Sequence, residues 1–204
     1  VGEEPTSQVT GLYNEIMAND AEDPKTVRRF AEQSARSLRR MERLTQSLLK
    51  VMRLDAGSVT FVKERCLVSD LAARAVQELT TRAAREGKRL ILEGDPGETA
   101  LCDPQWTGEA LGNLVKNALE HTERDGCIRV RWERSPAMLR ILVEDDGAGI
   151  AQDEQALIFK RFYRSRCGSD TQGVGLGLPL AKSIVEGQGG TLSVQSVPGC
   201  GTTF

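Results

Sequence analysis

Three groups of residues in this chain have types and spacings that could do chemistry: a pair of asparagines, a carboxylate pair followed by glycines, and a glycine run. The run is Gly173, Val174, Gly175, Leu176, Gly177 and Leu178. Glycines that open a helix leave backbone amides bare, and the helix dipole adds about half a positive charge at that end, which suits a polyphosphate. The spacing is GxGxG. It is not the GxGxxG of a dinucleotide site, it does not directly follow a strand, and it lies near the carboxyl end of the chain, so that reading fails. The GxxxxGK pattern followed by Ser or Thr is also absent.

Asn113 and Asn117 are four residues apart on a predicted helix from Pro104 to Thr122, so both amides leave one face. An amide carbonyl is a hard, neutral oxygen, and magnesium takes one or two such ligands from protein and the rest from phosphates and water. Asn117 is the expected magnesium ligand. Lys116 can offset phosphate charge. His121, the single histidine of the chain, is better placed to contact a phosphate oxygen than to act as a nucleophile.

Asp145 ends an apolar strand and precedes Asp146, Gly147, Ala148, Gly149 and Ile150. A buried carboxylate there accepts a hydrogen bond from an exocyclic amine but not from a keto group, which favours adenine over guanine. Gly147 and Gly149 would let a flat ring approach the backbone. An acid and base pair, or a metal site, remain alternatives for the two carboxylates, although neighbours on an extended segment point apart. Phe159 to Tyr163 places aromatic anchors, Phe162 among them, before a polar segment from Arg164 to Gln172 that reads as a lid over the site.

The elements that position these groups fall into two styles. A helical pattern runs from Pro5 to about Asn19, and Asp23 and Pro24 start a second helix. Along it Val27, Phe30, Ser34, Leu38, Met41, Thr45, Leu48 and Met52 recur every three or four residues, the seam of a bundle roughly 45 Å long. Such a seam cannot bury itself, so a helical hairpin that dimerises into a four-helix bundle is the economical solution. The arginines along it read as a solvated face or as a docking surface for an acidic partner.

Leu54 to Ser58 looks like a hinge, and the style then changes. Strands are expected at Val59–Val62, Arg89–Glu93, Ile128–Glu133, Leu139–Glu144 and Thr191–Val197. Helices are expected at Leu67–Arg85, Pro104–Thr122, Asp153–Phe159 and Gly175–Glu186. The fold class is α+β: a helical hairpin over residues 1–55, then a two-layer α/β sandwich over residues 56–204, with a mixed sheet covered by helices on one face.

A net charge of -2 and a pI near 5.7 leave no general nucleic-acid footprint. Five scattered cysteines without CxxC spacing fit a reducing compartment better than a disulfide scaffold. Nothing in the sequence approaches a membrane span.

With these motifs in view, the chain resembles the cytoplasmic core of a bacterial two-component sensor histidine kinase from about Pro5 to Phe204. Asn113 to Thr122 resembles the family's asparagine box, Asp145 to Ile150 its first glycine box, Phe159 to Tyr163 its phenylalanine box, and Gly173 to Leu178 its second glycine box. The helical pair is similar to the dimerisation and phosphoacceptor domain. The resemblance implies ATP and Mg2+ binding, autophosphorylation of a histidine, relay to an aspartate of a response regulator, a homodimer, and a membrane-anchored parent with this part in the cytoplasm. Aligning the family's proline with Pro5 puts the acceptor histidine just before Val1, so this stretch alone is not expected to autophosphorylate. Alternatives are another ATPase of the same superfamily and a nucleotide-gated dimerisation module or pseudokinase.

Overall fold

The computed structural model describes residues 11–12, 14–15, 24–164 and 175–204. The expected turn from Asn19 to Asp23, the lid segment from 165 to 172, and Gly173 and Val174 lie outside the described residues. Two compact units are present, residues 1–49 and 50–204.

In the first unit, residues 11–12 and 14–15 are helical, and the long helix α1 begins at Pro24 and continues to Asp55. The Ser34 hydroxyl lies 3.5 Å from Asn14 Oδ1, so the earlier helical segment runs beside α1. The seam along α1 differs from the expected one. Val27, Phe30, Ser34, Met41 and Leu48 are covered, but Leu38 and Met52 are 54% and 55% exposed and Thr45 is exposed too. Ser37, Leu44 and Val51, each one position earlier, are covered in their place. The covered positions therefore alternate in steps of three and four, a strict heptad stripe. From Ser34 on, the expected stripe keeps the same seven-residue repeat but takes Leu38, Thr45 and Met52, one position later, as the second member of each heptad.

The last turn of α1 packs with the second unit, which begins at Lys50. Val51 is fully buried, Lys50 pairs with Glu109 at 2.6 Å, and Asp55 pairs with Arg161. Gly57, at φ +62°, closes the helix: its amide reaches Leu54 O while Ser58 N reaches Arg53 O, the two bonds of a Schellman cap.

The rest of the second unit runs β1 (Glu64–Leu67), α2 (Val68–Arg85), β2 (Arg89–Glu93), β3 (Thr99–Cys102), α3 (Pro104–His121), β4 (Cys127–Arg134), β5 (Leu139–Asp145), α4 (Gln152–Gln155), α5 (Gly177–Gly187), β6 (Gln195–Val197) and β7 (Gly201–Thr203). The main sheet has the order β2-β4-β5-β7-β6, with β2 and β4 parallel and the other pairs antiparallel. Ile128, Val130 and Trp132 on β4 and Val143 on β5 turn to the helical layer of α2, α3 and α5. On the opposite face Arg129 and Arg131 pair with Glu93, Glu133 and Glu144, as the two-residue period of a half-buried strand requires. This is the mixed sheet, covered on one face, that the sequence leads one to expect.

Three local expectations fail: the strand expected at Thr191–Val197 is confined to Gln195–Val197, the helix expected at Asp153–Phe159 to Gln152–Gln155, and one expected strand is absent. Val59–Val62 is not a strand: the Val62 amide donates to Asp103 Oδ2 at 2.9 Å and Phe61 packs edge-on against Trp106, so side-chain contacts take the place of a ladder. The strand instead forms at β1, which pairs with β3 in a separate antiparallel ribbon. β3 itself, with the sequence Thr-Ala-Leu-Cys, is too short to carry a periodic signal.

Candidate nucleotide-binding site

α3 is the spine of the site. Asp103 caps it, accepting the amides of Gln105 and Trp106 at 3.1 Å each, and Pro104 supplies a preset first residue. Ala110, Leu111, Leu114, Val115, Ala118 and Leu119 bury one face. That fixes the helix rotation and leaves Asn113 and Asn117 half-buried on the flank.

The Asn113 amide nitrogen donates to Glu109 O at 2.9 Å, which engages one of its two N–H groups and orients the side chain. The side-chain carbonyl oxygen lies 3.1 Å from where a Cβ on Gly177 would stand, so the first residue of α5 abuts Asn113 because it has no side chain. The Asn117 side chain makes no hydrogen bond to any described residue. Lys116 lies 3.9 Å from Glu120, whose carboxylate is at the same distance from Arg82 of α2. Its ammonium is thus balanced by a neighbouring carboxylate.

At the start of α5, Leu176 is buried and offers no side-chain cap, and the first intrahelical bond runs from Leu180 N to Leu176 O. The amides of Gly177 and Leu178 precede that bond and lie at the positive end of the helix. Gly175, at φ +70°, accepts the Phe162 amide at 3.0 Å, and a Cβ on it would be 2.5 Å from Tyr163 O. The phenylalanine segment and the second glycine segment are therefore stitched together. Phe162 is 59% exposed with φ +62°, an uncommon conformation for a bulky residue, whereas Phe159 packs edge-on against Phe204 in the core. The Tyr163 hydroxyl is 2.8 Å from buried Glu154.

Asp145 lies at the other end of α3. It is buried, and the loss of water pushes its carboxyl above the ordinary carboxylate value; the Gly147 amide, His121 and the Thr202 backbone pull the other way, and Asp146 adds to the rise. Gly147 N donates to Asp145 Oδ1 at 3.0 Å. Asp146 turns away and accepts the Cys127 amide with both oxygens, at 2.9 and 3.0 Å. The two carboxylates therefore do different work and form neither an acid-base pair nor a shared metal site.

The glycines between them have a reason that the sequence does not disclose. A Cβ on Gly147 would be 2.3 Å from His121 O, and one on Gly149, at φ +70°, would be 2.1 Å from Val197 O. The space they leave is filled by the protein's own backbone, not kept for a ring. Ile150 is held by its amide donating to Ser196 Oγ at 2.8 Å.

The structure thus brings Asn113, Gly175, Leu176, Gly177 and Leu178 together at one end of α3, with Asn117 a turn further along. His121, Asp145, Gly147, Gly149 and Ile150 lie at the other end. Asn113 and His121 are separated by roughly 12 Å of helix, room for the phosphates and base of one extended nucleotide. Sequence reasoning misses Ser196, Gly201 and Thr202. Ser196 Oγ and Thr202 Oγ1 are 2.9 Å apart, and Asp145 pairs with Thr202 across the sheet. The signal is Gly199 and Gly201 flanking Cys200 before two threonines.

Among the described residues no group of three or more His, Cys, Asp or Glu could hold a metal, so an ion here would draw on neutral amide oxygen, phosphate and water. The donor set fits a nucleotide: free helix amides at one end and a buried acceptor at the other.

Residues 102–204 match the family described as histidine kinase-, DNA gyrase B- and HSP90-like ATPases. The chain belongs to this ATPase family. Over 166 residues, 81% of the chain, it is 36% identical to the sensor protein kinase PmrB of Pseudomonas aeruginosa. The chain spans 35% of that relative's length and about half or less of the other curated relatives it matches. The fold matches the histidine kinase AdeS of Acinetobacter baumannii with a TM-score of 0.79 at 15% identity, covering 97% of this chain and 92% of that one. It also matches the histidine kinase ThkA, solved in complex with the response regulator protein TrrA, with a TM-score of 0.77 at 19% identity, covering 98% of this chain and 56% of that one. Both of those folds are α+β, helices followed by an α/β sandwich, and this chain shares that architecture.

Proposed function

We propose that the second unit binds Mg-ATP in the cleft along α3 and donates its γ-phosphoryl group to a histidine, from which it passes to an aspartate of a response regulator. The observation that carries this reading is the abutment of the α5 N-terminus on Asn113 at one end of α3, with a buried carboxylate at the other. Asp145 accepts the adenine amine. Asn117, with Asn113 beside it, holds Mg2+, which offsets charge on the phosphates. The amides of Gly177 and Leu178 clamp phosphate oxygens, joined by Gly173, Val174 and Gly175 from the segment ahead of them. His121 is a contact at the carboxylate end, and Lys116 tunes the charge nearby.

Catalysis in this reading is positioning and charge stabilisation. His121 sits in the last turn of the nucleotide helix, so the acceptor is a different histidine, supplied by sequence outside these residues. Residues 1–55 form the dimerising and phosphoacceptor hairpin and residues 56–204 the catalytic domain, as a homodimer in the cytoplasm beneath a membrane anchor. Leu38, Leu49 and Met52, all more than half exposed on α1, supply the apolar face that the second copy covers. The complex of ThkA with its regulator supports a receiver domain as the partner. Transfer is tested with γ-labelled ATP: a longer protein carrying an upstream acceptor takes up acid-labile label and this chain alone does not. Label retained on this chain would contradict the assignment.

A further inference from the structure

Outside the nucleotide site, two cysteines lie in contact on the small ribbon. Cys66 Sγ and Cys102 Sγ are 3.4 Å apart, and among the described residues no other cysteines meet. The register sets Cys66 opposite Ala100 and Cys102 opposite Glu64, so the two are diagonal neighbours on one face. Cys102 is buried and Cys66 half-buried, so one sulfur can be reached from solvent while the other waits behind it. Burial and the neighbouring thiol push the Cys66 thiol up to about 12, with Glu64 adding to this and Arg74 opposing it. The pair is therefore at rest as two thiols, slow to react until one sulfur is activated.

The residue after Cys102 gives the pair its reach. Asp103 accepts the amides of Gln105, Trp106 and Val62, and its own amide donates to Gln188 Oε1 at 2.7 Å. Gln188 is the residue that caps the end of α5, and its Oε1 and Nε2 both lie within 3.5 Å of Thr107 Oγ1. One residue beyond the thiols, a single aspartate thus fixes the start of α3 and ties it to the end of α5, the two helices that form the nucleotide cleft. Joining the sulfurs brings them roughly 1.3 Å closer. Diagonal partners are farther apart than direct ones, so β3 must slide on β1 to allow it.

We propose that Cys66 and Cys102 are a reversible dithiol–disulfide site, oxidised by a low-molecular-weight disulfide, and that closing the bridge strains the Asp103 capping centre and weakens nucleotide binding. The small fraction of Cys66 present as thiolate, the half-buried partner that solvent reaches, slowly attacks one sulfur of the small disulfide and expels one thiolate. The Cys102 thiolate then attacks Cys66 Sγ and expels the second. Two protein thiols are oxidised, one disulfide is reduced to two thiols, and the protons from the cysteines pass to the leaving groups through solvent. The second half of the proposal rests on the nucleotide-binding reading; the first does not.

The test incubates the whole chain with oxidised glutathione, blocks remaining thiols with an alkylating agent, and maps the peptides. The expected product is a Cys66–Cys102 cross-linked peptide lacking two hydrogens, lost again with dithiothreitol. Oxidised protein should bind Mg-ATP at least about fivefold more weakly than reduced protein, with Cys66→Ser insensitive to the treatment. Mixed glutathione adducts without the cross-link, or a bridge through Cys127, Cys167 or Cys200, would overturn the site. A mapped bridge with unchanged affinity would overturn the coupling. Reduced protein that ignores Mg-ATP would instead refute the nucleotide reading, with the mapping still deciding the bridge.

Discussion

Asp145, the proposed acceptor for the base, comes at a cost to the fold. Burial raises its carboxyl pKa in the folded protein above the unfolded value. In the interval between those values the folded state holds the extra proton, so stability falls as pH rises through it and stays lowered above the folded value. Asp145→Asn is neutral at every pH, so it should melt higher than the parent around pH 7, and the gain should shrink as pH falls from the raised folded value toward the ordinary carboxylate range and be gone below it; melting curves across that interval check this. With its Oδ1 kept on the Gly147 amide, the variant would turn an NH2 group toward the proposed base position, so the proposal expects stability to be gained as nucleotide affinity falls. Asn117→Ala, which removes an amide bonded to nothing described, should leave melting unchanged and remove detectable Mg-ATP binding. Gly149→Ala acts through the backbone: its Cβ would fall on Val197 O at a left-handed φ. It should cost on the order of 1–3 kcal/mol in denaturant unfolding.

The elements are legible in proportion to how far their own residues decide them. α3 declares itself through its aspartate cap, its proline and a continuous apolar face, and β2 through a short apolar run, Leu90 to Leu92, bounded by Arg89 and Glu93, so both emerge at nearly the expected bounds. β3 escapes notice because four residues carry no period, and the ribbon it forms depends on β1, which lies more than thirty residues earlier. The seam of α1 slips by one position in every second step because Leu44 and Thr45, or Val51 and Met52, satisfy the same seven-residue repeat, and only packing decides which of two adjacent positions is covered. This has a test: Leu44→Ala should destabilise the helical unit by about 1 kcal/mol or more. Leu38→Ala, expected from the sequence alone to hurt as much, should leave monomer stability nearly unchanged. At the site, the glycine segments are visible as patterns. Their purpose at Gly147 and Gly149, making room for His121 O and Val197 O, depends on the packing of chain segments distant in sequence.

At the scale of the whole molecule, α1 leaves Leu38, Leu49 and Met52 exposed, while no described helix is long and apolar enough to cross a membrane. If a second copy covers that face, Leu38→Asp with Leu49→Asp should convert a dimer to a monomer in sedimentation without altering affinity for nucleotide, since neither residue lies in the second unit. A dimer that survives both charges would place the interface elsewhere. The claim on which the rest turns is that α3 and the start of α5 hold magnesium and adenine triphosphate between them. Titration calorimetry of the purified chain with ATP, with and without Mg2+, tests it most directly. A single site per chain that needs the metal, prefers ATP to GTP and is lost in Asn117→Ala and in Asp145→Ala is the predicted result; no heat from ATP, or unchanged binding in either variant, would contradict it.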